Sequence, residues 1–216
     1  MGYTTDFDGK FKLSRPATEQ ERDYINLISN TRRMRRNVDT LFELYKGKYG
    51  NPFAKNKKEI YGLEGEYFAM DDDDMGQSDN KSIIDHNTPP GQLSYNSGKF
   101  DKIWEDNEKL IEKGKCQPGL WCKWEITEDC QYIKGFLEWN GAEKFYYYTE
   151  WLEYLIKHFF SKWGIKLNGQ IHWQGESKGD KGIIFALNNK IKRVSSKSEM
   201  LQYERKLKLQ KINEEL

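Results

Sequence analysis

The chain has 216 residues, 37% hydrophobic and 14% aromatic, with 35 basic against 34 acidic side chains for a formal charge of +1. That length predicts one domain with appendages, able to bury a core without disulfides or a structural metal. The near-zero charge excludes a global field for nucleic acid or an anionic membrane, and the three cysteines, Cys116, Cys122 and Cys130, form no C-x-x-C pair. A disulfide framework and an ordinary zinc site are therefore not expected, and a reducing cytoplasm is. Residues 1–6 lack a basic and an apolar region, so no signal peptide is expected. Glu and Lys interrupt every long apolar stretch, so no membrane span is expected either.

Residues 3–13 alternate, with Phe7, Gly9, Phe11 and Leu13 on one face against Asp6, Asp8, Lys10 and Lys12, the pattern of a half-buried strand. After Pro16, Thr18-x-x-Glu21 forms a capping box for a helix carrying Tyr24, Ile25 and Ile28 and running to about Met34. Asn37 or Asp39 caps a second helix with Val38, Leu41, Phe42 and Tyr45, ended by Gly47, Gly50 and Pro52. From Ala54 to Gly98 the composition is polar, which reads as a long, partly mobile insertion. Phe100, Ile103, Trp104 and Ile111 predict an amphipathic helix near 100–113.

Alternation predicts strands over 120–127 and 131–139, joined by a short antiparallel connection. An aromatic helix over 143–163 follows, with Phe145, Tyr148, Trp151, Leu152, Leu155, Ile156, Phe159 and Trp163 at helical spacing and Gly164 as a left-handed cap. Strands at 167–174, 182–187 and 190–194 complete the pattern, the last two joined through Asn188-Asn189. Residues 195–216 read as a charged helical tail with Met200, Tyr203 and Leu207 as weak apolar support. The order predicts an α+β fold: an antiparallel sheet with helices on one face, a ferredoxin-like split βαβ with extra C-terminal strands and a long insertion. The domain reading is 1–194 as one domain, with the insertion at about 37–115 and the tail at 195–216.

Four stretches carry a family resemblance: residues 1–7 (MGYTTDF), 31–34 (TRRM), 117–124 (QPGLWCKW) and the helix containing EWLEYL. They resemble an uncharacterised family found in bacterial and phage genomes, matched over about 1–36 and 116–194. The segment 37–115 is longer and richer in Lys and Asn than that pattern. The resemblance implies no reaction. It does imply a phage or mobile-element gene, hence an accessory protein directed at the host.

Several residue groups are candidates for chemistry. Arg32, Arg33, Arg35 and Arg36 sit at the expected end of the first helix. They read either as a solvated helix end or as a site for an anion or nucleic-acid backbone. Trp121, Trp124, Trp139 and Trp173, with Tyr132, fall on strands; they read as packing, or, on an uncovered sheet face, as a stacking platform or protein hot spot. Asp71–Asp74, with Asp79, Asp85 and His86, fail an EF-hand register at Met75 and Ser82. They read as a hydrated acidic loop, and no metal is expected. Glu138, Glu143, Glu150, Glu153, Glu176 and Asp180 could do acid–base work only in a cleft that shifts their pKa values apart. His86, His158 and His172 have no ligand partner at i+3 or i+4, and Cys122 reads as a buried hydrophobe.

No nucleotide-binding or hydrolase motif occurs, and no cofactor is expected. The leading reading is a non-enzymatic binding or accessory protein, acting on a host protein or small anionic ligand in the host cytoplasm. It would bind through Arg32, Arg33, Arg36 and the tryptophans. One alternative is a small enzyme with an acidic site between sheet and insertion. The other, less favoured, is a nucleic-acid binder using Arg32–Arg36 and exposed aromatics.

Overall fold

In a computed structural model, which describes residues 2–71, 75–78, 81–129, 134–195, 198–199, 201–203 and 205, the first alternating stretch is strand β1 (Thr5–Leu13). Helix α1 (Glu19–Asn30) opens with the expected capping box: the Glu21 amide donates to the Thr18 hydroxyl at 3.2 Å, and the Thr18 amide to the Glu21 carboxylate at 2.8 Å. Strand β2 (Arg35–Arg36), α2 (Val38–Tyr45), α3 (Lys57–Tyr61), β3 (Ile83–Asp85) and α4 (Phe100–Glu112) follow. Then come β4 (Trp124–Asp129), β5 (Lys134–Trp139), α5 (Tyr148–Leu155), a π turn (Ile156–Phe160) and α6 (Ser161–Trp163). The last strands are β6 (Leu167–Gly175), β7 (Lys181–Leu187) and β8 (Lys190–Val194).

Three boundaries differ from expectation for identifiable reasons. Helix α1 stops at Asn30 rather than near Met34, because Thr31 is extended and its hydroxyl turns back to the Leu27 carbonyl at 2.7 Å. The strand expected from residue 120 begins at Trp124, because the Leu120 carbonyl is taken by the Arg33 amide at 2.8 Å. The aromatic helix starts at Tyr148, not 143: Lys144 and Tyr147 have φ of 60° and 54°, a left-handed conformation that ends helical propagation. Residues 130–133 lie outside the described residues, and with them Cys130, Tyr132 and the expected start of the second strand.

The chain divides into two compact units. One comprises residues 1–17, 124–145 and 155–216 and holds a six-stranded sheet in the order β4-β5-β1-β6-β7-β8, with every described neighbour antiparallel. Its first four strands stand in the order of a split βαβ plan, and β7 and β8 extend one edge. Register sets Phe7 beside Trp173, Phe11 beside Leu137, and Trp124 beside Trp139, so these side chains share one face. Phe7 meets Trp124, Trp139 and Phe145 edge-on at 5.5, 5.5 and 5.9 Å. Gly9 has φ 109°, and a Cβ there would lie 3.0 Å from the Gln170 carbonyl oxygen, so only glycine fits the pairing of β1 with β6. Leu155, Ile156, Phe159 and Phe160 of the helical segment in this unit are buried.

The other unit comprises residues 18–123 and 146–154. The polar stretch at 54–98, expected to be a partly mobile insertion, contributes Ile60, Tyr61, Phe68 and Met70 to a core within it. Leu41, Tyr61 and Phe68 are at most 1% exposed, and Val38, Phe42, Tyr45, Tyr49, Ile60 and Met70 pack around them.

Candidate functional site

The arginine run defines the interior of the second unit. Residues 32–36 are not helical, and the amides of the four arginines bond to separate segments. Arg32 donates to Met75, Arg33 to Leu120, Arg35 to Thr88 and Arg36 to Glu64, at 2.9, 2.8, 3.1 and 2.8 Å. Arg33 and Arg36 are each 1% exposed. The Arg33 guanidinium donates to the carbonyls of Glu66 and Phe68 at 2.6 and 2.7 Å and faces the Gln117 amide oxygen at 3.4 Å. Gln117 in turn donates to the Glu66 carbonyl and the Tyr154 hydroxyl. Arg36 donates to the Gly76 carbonyl and the Ser82 hydroxyl and lies 4.4 Å from the centre of the Phe68 ring. Burial lowers the Arg33 pKa from its usual value, while Tyr154, Tyr24, Cys122 and Glu66 act in the opposite direction. The sequence reading made these arginines a solvated helix end or an anion site; Arg33 and Arg36 are interior instead.

The tryptophans also divide. Trp124 and Trp173 are 0% and 3% exposed and share the face of Phe7. Trp139 is half-buried, its indole N–H donating to the Ala142 carbonyl at 3.1 Å. Trp121, half-buried, lies in the loop before β4 and belongs to the second unit. These four side chains therefore do not form one exposed platform.

What the second unit does expose is a row of aromatic rings on α4 and the turn before it. Phe100 and Trp104 are 59% and 46% exposed. Tyr95 stacks on Phe100 at 5.2 Å with 29° between planes, and Phe100 lies 6.2 Å from Trp104 at 30°. The sequence reading set Phe100 and Trp104 on one stripe with Ile103 and Ile111. The structure turns Ile103, Asn107 and Ile111 inward and leaves the other two outside. Asn107 holds this turn in place, accepting from the Leu93 amide at 2.7 Å and donating to its carbonyl at 3.0 Å.

Beside the row lies an open pocket of about 420 Å³, lined by Arg35, Ile84, Asp85, His86, Asn87, Ser94 and Asn96. Asp85 is its best-fixed group. It accepts from the Asn87 amide at 2.9 Å and from the Thr88 and Ser94 hydroxyls at 2.7 and 2.6 Å. Burial alone would raise its pKa, but the bonds from Ser94, Asn87 and Thr88 and the nearby Arg35 outweigh that, so it sits below its ordinary value. Arg35 pairs with Glu64 at 2.5 Å, and Arg32 donates to the Asn87 side chain at 3.2 Å. Of the acidic run, Asp72–Asp74 and Asp79 lie outside the described residues. Among the described residues, no group of three metal-ligating side chains comes together.

The other carboxylates have separate fates. Glu176 accepts from the Thr4 amide at 2.7 Å and Asp180 from the Tyr3 hydroxyl at 2.5 Å, tying down the start of β1. Glu125 faces Glu138 across β4 and β5, and burial followed by that like charge raises its pKa. Burial followed by Glu150 does the same for Glu153.

Comparison with protein-family models, curated proteins and solved structures returns no match for this chain. No helix among the described residues is long and apolar enough to cross a membrane. The sequence reading named Arg35, Asp85 and His86 in separate groups and did not join them into this site, because its polar members form no motif. The one available signal was helical phase: Phe100 and Trp104 are four residues apart, as are Ile103, Asn107 and Ile111.

Proposed function

We propose that this chain is a binding protein that docks a partner protein through Tyr95, Phe100, Trp104 and the adjoining polar pocket. The observation that carries this reading is the exposure of Phe100 and Trp104 on a helix that already buries Ile103 and Ile111. Burying such a side chain is worth roughly 1.5–3 kcal/mol, which this unit leaves unused and a partner can recover. Aromatic anchors beside a pocket containing arginine match the composition of interface hot spots.

Two other ligand classes are less well supported. A small anion would meet Arg35 already paired with Glu64 and would share the pocket with ionised Asp85. A nucleic-acid backbone would need guanidiniums that Arg33 and Arg36 keep inside, and a charge of +1 supplies no field to draw it in. The resemblance to bacterial and phage proteins makes the partner a host protein, met in the host cytoplasm by a phage or mobile-element product.

The test is paired capture from a bacterial host with wild-type chain and with Phe100→Ala/Trp104→Ala. A partner held by the wild type should be depleted at least about tenfold on the variant, the loss expected of two hot-spot anchors. Equal capture by both, or no capture by the wild type, overturns the reading.

A further inference from the structure

Helix α4 is segregated by charge around its exposed rings. With Phe100 set at zero and about 100° per residue, Trp104 falls at about 40°. Glu108, Asp101, Glu112 and Glu105 then fill the arc from about 80° to about 140°. No lysine interrupts that arc. Lys102 and Lys109 lie beyond it, at about 180° to 200°, and Lys109 pairs with Asp106 at 3.2 Å. The rings are therefore bordered by carboxylates alone.

This arrangement costs the helix stability. Asp101 and Glu105 are four residues apart, as are Glu108 and Glu112, and like charges at that spacing destabilise a helix. Asp101, Glu105 and Glu112 are exposed and make no ion pair or side-chain hydrogen bond among the described residues. Glu108 accepts from the hydroxyl of Tyr147, the residue before α5. Burial first, then the bond to Glu108 and its charge, push that phenol above its ordinary pKa, with Tyr95 and Glu150 adding to the effect. Tyr95 of the ring row and Glu150 of α5 thus lie within electrostatic reach of the same hydroxyl. A cation is attracted here twice, by the carboxylates and by the ring faces. Guanidinium suits both, since its plane stacks on an aromatic ring and its fork matches a carboxylate. An acidic partner would meet only like charge.

We propose that the partner segment seated on Phe100 and Trp104 is basic, laying arginine side chains across the rings with their guanidiniums on Asp101, Glu105 and Glu108. This rests on the docking role proposed above and adds the partner's chemistry to it. The like charges that α4 tolerates unbound are neutralised when that segment arrives.

The test pans a random-peptide display library on the full wild-type chain and discards clones that also bind a Phe100→Ala/Trp104→Ala chain. The clones that remain should carry Arg and Lys at about twice the input frequency or more. They should bind an Asp101→Asn/Glu105→Gln/Glu112→Gln chain at least about fivefold more weakly, the loss expected of several exposed ion pairs. That chain should keep or raise its urea midpoint, because repulsion within α4 is removed. On the wild type the same binding should weaken at least about threefold as salt rises from about 0.05 M to about 0.5 M. Clones without basic enrichment, or equal affinity for the neutralised chain, overturn the basic partner and leave the docking surface standing. No clone that separates wild type from the Phe100→Ala/Trp104→Ala chain overturns both. A wild-type dimer that this variant loses would make the occupant a second copy of the chain, and overturns the basic partner as well.

Discussion

The Arg33 guanidinium, 1% exposed, donates through Nη1 to the main-chain carbonyl of Phe68 at 2.7 Å. A residue beside the end of the first helix thereby anchors a segment some 35 positions away. Its second bond, to the Glu66 carbonyl, clamps the same segment two residues earlier. Guanidinium is suited to this because its planar fork reaches two carbonyls at once.

Arg33→Met should cost about 2–6 kcal/mol of folding stability, at about 1–3 kcal/mol for each buried carbonyl that loses its donor. The carbonyls of Glu66 and Phe68 would be left without their donors. Arg33→Lys should recover little, since one ammonium cannot reproduce the fork. Urea midpoints of the three proteins decide this; a loss under about 1 kcal/mol would show the segment held by other means.

On α4 the exposed and buried residues should separate cleanly. Ile103→Ala should lose about 2–4 kcal/mol, as for deletion of a buried aliphatic side chain. Phe100→Ser and Trp104→Ser should each stay within about 0.5 kcal/mol of wild type, because surface substitutions cost little. Thermal melts read the contrast. Comparable losses at all three would mean that the aromatic row supports the fold rather than a partner.

Stability should fall with acid partly through His158. Burial, with Lys157 and Lys162 adding to it, pushes this imidazole down to about 4. Unfolded, it titrates near 6.5. The unfolded state therefore takes up the proton first. The contribution is fully present above pH 6.5 and is lost progressively as pH falls to about 4, with a ceiling of about 3 kcal/mol. His158→Gln should flatten that part of the curve of urea midpoint against pH. An unchanged slope would show that His158 titrates normally in the folded chain.

Cys116 should resist alkylation in the native state. Burial pushes its thiol up to about 11, so at pH 8 the thiolate is on the order of a thousandth of the total. Cys122, 0% exposed, should be similarly protected. Iodoacetamide labelling with peptide mass mapping checks both. Modification of Cys116 within tenfold of its rate in urea would contradict the burial.

Much of the fold was legible because its signals are local. Thr18 and Glu21 cap α1 from within one turn, and Asn188 and Asn189 take φ of 48° and 68° in the turn between β7 and β8. Gly164 closes the helical segment in the left-handed conformation. The alternation of β1 and β6 marks which residues share a face, because a strand's side-chain period is two.

The candidate site was legible only in fragments. Arg32 lies at its margin, bonded to Asn87, whereas Arg33 and Arg36 read as surface charge because arginine is rarely buried without a partner. Their partners are carbonyls of Glu66, Phe68 and Gly76. Backbone carbonyls leave no mark on a sequence, since every residue has one.

By itself, the sequence determined the α+β pattern, the antiparallel strands, the caps and the near-neutral charge, all of which follow from spacing and composition. Only the tertiary structure decided which arginines are interior and which aromatics are not. It also set Tyr203 on Phe185. The physical reason is the same in each case: burial belongs to a side chain's distant neighbours, and Glu66, Phe68 and Gly76 for the arginines, or Phe185 for Tyr203, are brought close only when the chain folds.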